Sequence, residues 1–196
     1  MIELPDLDAE IEWVIPGTPA QRSASGWTGR AKIVEQPGLA AWRATVRFED
    51  IATEIEERRL RAFVAALDGM IGIARLPLPC QSPVGSAPKV ATAGKGRTLA
   101  LKGMQPNTRH LDAGQYLTIP LPSGHHRTVI LSADLVADAS GNGVASFGPP
   151  IDETVAVDTV VETGEPFVPM RMTDPDTALA ASNGVTAASI DFVEAL

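Results

Sequence analysis

Sulfur, aromatic rings, histidine and basic charge are all scarce in this chain, and each shortage closes a class of function. A single cysteine, Cys80, among 196 residues excludes an internal disulfide framework and a zinc site built on thiolates. Aromatic residues make up 5% of the chain, too few for a surface of stacked bases or sugars. Lysine and arginine total 16 against 24 acids, a formal charge of −8, which is the wrong sign for neutralising many phosphates. Specific nucleic-acid binding is therefore not expected. Nor does any apolar run approach the roughly eighteen residues of a membrane-spanning helix, so a membrane protein is not expected either. The first residues are acidic (Glu3, Asp6, Asp8, Glu10) where a secretory leader would be basic and then apolar. What remains is a folding composition, 44% hydrophobic with 17 glycines and 16 prolines, suited to many short strands joined by turns.

Period-two alternation predicts strands. Ile11, Trp13 and Ile15 alternate with Glu12 and Val14 over residues 10–15, ending at Pro16 and Gly17. A loop through Gly26 and Gly29 leads to a second strand at 30–36. Trp42, Ala44, Val46 and Phe48 share one face of a third. A helix over 53–68 follows. Thr53 and Glu56 stand in capping-box spacing, Leu60, Phe63, Val64 and Leu67 recur at helical intervals, and Gly69 is a left-handed stop. Residues 70–78 then read as extended. From Ser82 the texture changes to small residues, proline and glycine, with strands expected at 97–101, 116–121, 127–132, 144–147 and 155–161. Asp138 to Gly143 reads as a hairpin connection. Residues 166–172 and the alternating 189–193 close the chain. The expected organisation is mainly β with one packed helix: a first domain from residues 1–81 and 166–196, with a small all-β domain, 82–165, inserted. The competing organisation is one continuous β-rich domain.

Candidate chemistry is thin. His125 and His126 are adjacent, so on a strand they face opposite ways and do not share a metal; His110 and Asp112 are the groups that would have to complete such a site. Asp138, Ser140, Asn142 and Gly143 copy the opening of a calcium loop, but the twelfth position is Pro149 where a bidentate acid is needed. Gly94, Lys95 and Gly96 lack the spacing of a phosphate loop. Ser25 before Gly26 makes no nucleophile elbow. Cys80 has no basic neighbour in sequence to activate it. Asp152 and Glu153, beside Pro150, read as solvated loop acids. No metal, cofactor or catalytic residue is assigned, and an enzyme is not expected.

Several segments carry a resemblance. WRATVRF, EIEERRLRAFVAALDG and MIGIARLPLP follow one another from Trp42 to Pro79. Together with PAQRSASGWTGRAKIVEQPG, LDAGQYLTIP, ADLVADASGNGVASFGPP and the terminal SIDFVEAL, they are similar to virion proteins encoded among the tail genes of long-tailed bacteriophages and prophages, most of all to distal tail proteins. The resemblance implies a tube-like β-sandwich with a packed helix, carrying a second β domain outside. It also implies a homo-oligomeric, typically hexameric ring in the virion's tail tip, between the tail tube protein and the baseplate hub proteins. DNA would pass through the lumen without specific binding, past an acidic wall that repels phosphate. The polar loop from Gly17 to Trp27 would be a subunit contact. A host glycan- or receptor-binding module with Tyr116 or Trp27 as its aromatic platform is the alternative. A cell-wall hydrolase using His110, His125 or His126 is the third reading.

Overall fold

The computed structural model of the chain describes residues 1–17, 20–24, 31–35, 40–174 and 187–195. In chain order the elements are β1 (Ile2–Glu3), β2 (Ala9–Val14), β3 (Ala20–Ala24), β4 (Ala31–Glu35), β5 (Arg43–Phe48), α1 (Glu54–Leu67), β6 (Ala74–Pro77), β7 (Lys89–Val90) and β8 (Gly94–Lys102). They continue with β9 (Arg109–Leu111), β10 (Tyr116–Pro120), β11 (His126–Leu131), β12 (Leu135–Val136), β13 (Gly143–Val155), β14 (Phe167–Met172) and β15 (Ala188–Glu194). The protein is mainly β, with one helix among the described residues.

A six-stranded sheet runs in the order β1-β6-β14-β15-β5-β2. It is assembled from the two ends of the chain. Its register follows the apolar alternation: Ile190 and Ile11 flank Val46, and Phe192 and Trp13 flank Ala44, so these side chains fall on one face. Helix α1 covers that face with Leu60, Phe63 and Leu67, all buried, and Phe63 meets Phe48 edge to face at 6.3 Å between centroids. Burying each such side chain contributes about 2 kcal/mol. The capping box is complete, with Thr53 accepting from Glu56 N–H and the Glu56 carboxylate accepting from Thr53 N–H. Those N–H bonds, the Thr53 backbone first, hold the Glu56 carboxyl below the usual range.

A second body is built from the five-stranded sheet β10-β11-β13-β8-β7 and the pair β12-β9. Its own core includes Leu99, Leu101, Leu117, Ile119, Val129 and Phe147. Strands β3 and β4 form a separate antiparallel pair.

Several local expectations are corrected. Residues 70–72 are turn and bend, and the strand begins only at Ala74, because Gly72 N–H bonds Leu67 O at 2.7 Å and a Cβ there would lie 2.6 Å from that oxygen. Gly69 is left-handed as expected, with φ 65°, and Asp68 ahead of it, with φ 46°, is left-handed too and forms the cap. Part of the expected Gly17–Trp27 loop, Ala20–Ala24, is strand; Trp27, Ser25, Gly26 and Gly29 lie outside the described residues. Strand β13 runs from Gly143 to Val155, through two prolines, because its register with β8 shifts between Ser146 and Ile151 and no ladder N–H is required there. Beyond it, Val157 and Asp158 turn, and only Val160 and Glu162 make isolated bridges. The 138–143 segment leads from β12 to β13, yet β12 pairs with β9, so the segment does not close a two-stranded hairpin.

Candidate functional site

The most concentrated polar chemistry lies where the two β bodies meet. Strand β11 brings Arg127 from the second body, and β15 brings Glu194 from the first. Both side chains are essentially without solvent exposure, 1% and 0%. Arg127 Nη1 donates to Glu194 Oε2 at 2.5 Å, and Nη2 donates to Ala40 O at 2.5 Å. The same carboxylate oxygen accepts from Trp42 N–H at 3.1 Å, while Glu194 N–H returns to Trp42 O at 2.9 Å. Burial pushes the Glu194 carboxyl up, opposed by the Arg127 guanidinium and the Trp42 N–H. The carboxylate keeps its charge, since neutralising it would leave a buried guanidinium without a counterion. Arg127 Nε and Glu194 Oε1 are buried without hydrogen-bond partners in the described structure.

Around this pair the backbone of each body is bonded to the other. Trp42 Nε1 donates to Thr128 O at 2.8 Å. The Thr118 and Thr128 hydroxyls donate to Phe167 O at 2.8 and 2.5 Å, and Phe167 N–H donates to Thr118 Oγ1 at 3.0 Å. The Gln81 amide spans the crossing, accepting from Tyr116 N–H at 2.6 Å and donating to Tyr116 O and Thr163 O at 2.9 and 2.8 Å. Phe167 lies between Arg75, whose guanidinium sits 4.3 Å over the ring, and His126, 5.4 Å away between centroids. Every one of these bonds is directional, and together they fix one body against the other.

The residues singled out in the sequence are scattered. His110 is buried in the second body; its Nδ1–H donates to Val84 O at 2.7 Å, leaving Nε2 buried without a partner. Burial pushes this imidazole below its ordinary range. Asp112 is exposed and pairs with Arg109 at 2.8 Å. His125 lies in the turn before β11, and His126 opens that strand, lowered first by burial and then by the charges of His125 and Arg75. The structure does not bring these histidines together around an ion, and no group of three or more His, Cys, Asp or Glu among the described residues has metal-ligating geometry. Asp138 Oδ1 is engaged, accepting from Ser140 N–H at 2.7 Å and Asn142 N–H at 2.9 Å, which closes the turn. Gly94, Lys95 and Gly96 lie in β8. Asp152 and Glu153 are in β13 and not in a loop; Glu153 accepts from Ser123 N–H and Oγ. Cys80 is exposed, in a groove of about 190 Å³ with Glu3, Arg75, Glu165 and Phe167. Tyr116 is half-buried against Trp42 at 6.2 Å between centroids, which removes most of the surface a glycan platform would use.

Sequence reasoning missed the Arg127–Glu194 pair altogether. The one available signal was a charge placed in each of two apolar strands, TVIL after Arg127 and IDFV before Glu194. No family model matches the chain, and no curated protein shows significant similarity to it.

Proposed function

We propose that the chain is a structural component of a bacteriophage tail, a subunit of a ring at the distal end of the tail tube that joins the tube to the baseplate hub. The observation that carries this reading is the seam: a fully buried ion pair and a set of directional hydrogen bonds couple a helix-backed sheet to a second β body. Such a block transmits load between its two ends. A ring closes only if every subunit imposes the same rotation on the next, so a stiff subunit is what closed head-to-tail assembly demands. The resemblance of the sequence to distal tail proteins supplies the particular ring.

The test is direct. Purified protein is run by size exclusion with light scattering across a wide concentration range and imaged by negative-stain electron microscopy. Annular particles of uniform copy number with an open centre are expected. A species that stays monomeric at every concentration and salt overturns the reading.

A further inference from the structure

We infer that copies of this chain join head to tail through the two outer edges of the six-stranded sheet, the β2 end of one copy against the β1–β6 end of the next. This rests on the ring reading and names its contact surfaces.

Two exposed apolar clusters mark the edges. At one, Val14 and Ile15, at the end of β2, are 56% and 60% exposed. At the other, Met70 and Ile71, in the turn before β6, are 53% and 71% exposed, and Met1, just ahead of β1, is 59% exposed. They belong to the same level of the sheet. Val14 pairs with Arg43, Arg43 with Val193, and Val193 with Arg171. The Arg171 guanidinium then donates to Met70 O and Ile71 O at 3.3 and 3.2 Å, fastening that turn to the row. The clusters therefore stand toward opposite ends of one row, four strand spacings or about 19 Å apart.

The edges are also compatible in direction. β1 runs parallel to β6, and four antiparallel steps separate β6 from β2, so β1 and β2 point the same way. Extending the sheet from copy to copy then pairs β2 with the next β1 as parallel strands, and no described strand occupies the outer side of either. Charge does not stand in the way locally: Arg47 already holds Glu12 at 2.8 Å, and Arg75 holds Glu3 at 3.4 Å. A partner of other chemistry would need one such edge, whereas a second copy uses both.

Two side chains a side are far fewer than the roughly 20–30 residues a side of a standard stable interface. A single contact is weak, and assembly depends on closure, where every copy uses both edges at once. Because each copy carries a charge of −8, salt strengthens the contact.

The experiment uses two variants, V14D/I15D, which loses the β2 cluster, and M70D/I71D, which loses the other, each checked for folding by circular dichroism. Milder serine pairs at the same positions serve where an aspartate pair unfolds the chain. Each variant alone is expected to stay monomeric, with the concentration needed for assembly raised about tenfold or more. Mixed in equal amounts, the two are expected to pair one to one through their surviving edges only at concentrations well above those at which the wild-type ring closes, and to go no further. Self-association of the M70D/I71D variant alone would show a β2-to-β2 contact, and unchanged assembly of both variants would show an interface elsewhere; either result overturns this inference while leaving the ring standing. A wild-type chain that never assembles overturns both.

Discussion

Glu194→Ala puts the seam to a quantitative test. The substitution removes the counterion and the acceptor of Trp42 N–H at once, and leaves the Arg127 guanidinium buried against Ala40 O alone. An uncompensated buried charge of this kind costs about 3–5 kcal/mol. Total stability for a domain is about 5–15 kcal/mol, so the loss is a large fraction of it. For a chain near two hundred residues each kcal/mol shifts Tm by about 2–4 °C, which places the expected drop at roughly 6–20 °C. Urea unfolding followed by circular dichroism, with thermal melts alongside, measures it. Arg127→Met alone also destabilises, because Glu194 then stands buried without its partner. The double variant R127M/E194M recovers most of the loss, since paired apolar side chains carry no charge to desolvate. The cycle therefore shows a coupling of several kcal/mol between two positions 67 residues apart. Single losses under about 1 kcal/mol, the value of an exposed pair, would refute the reasoning, as would a double variant as unstable as the sum of the singles.

Three further outcomes follow from local geometry. Gly141→Ala is expected to cost several times more than Gly124→Ala: both glycines have positive φ, 76° and 86°, but an added Cβ at Gly141 lies 2.5 Å from Met104 O and at Gly124 meets nothing. Gly124→Ala carries only the left-handed penalty of about 1–2 kcal/mol, and the difference in urea midpoints measures the collision. His110 makes stability pH-dependent. Its folded-state pKa is depressed, so between the ordinary histidine value and that lower value the unfolded chain takes up a proton that the folded chain refuses. Its contribution is complete above about pH 6.5 and falls as pH drops below that. His110→Gln flattens this part of a stability-against-pH curve measured by urea unfolding, and an unchanged slope would remove His110 from the account. Thr53→Ala lowers stability by about 1 kcal/mol through loss of the N-cap, while Thr53→Ser leaves it nearly intact; thermal melts distinguish them.

Local signals were the legible ones. The start of α1 could be read because a capping box is a contract between residues three apart, and Thr53 and Glu56 fulfil it. Strand β5 could be read because its buried face is strictly alternating, Ala44, Val46 and Phe48. The turn at Asp138–Gly143 was legible as a turn, and the aspartate that copied a metal ligand is the one that closes it. Strand ends failed where a second body or a register shift decides them. β13 continues through Pro149 and Pro150 only because its partner slips there, which no window of sequence reveals. The seam was illegible for a related reason. Arg127 and Glu194 each sit in an apolar strand, and the reason for the charge lies on the other β body.

That the seam is polar bears on what it does. Apolar packing is nearly non-directional, and two bodies held by it alone can slide or rock at little cost. Hydrogen bonds weaken steeply as their angles depart from linear. Trp42 meets the second body through its indole N–H and meets Glu194 through its own N–H and C=O, so a rotation of either body breaks several bonds together. The Thr118 hydroxyl both donates to and accepts from the Phe167 backbone, which fixes the approach of β14 in two directions. In a closed ring an angular error within one subunit is repeated by every copy, and accumulated error prevents closure. A buried, directional joint keeps that error small, and this is the physical reason a ring-forming subunit would retain an ion pair that a purely apolar core could replace at no cost in stability.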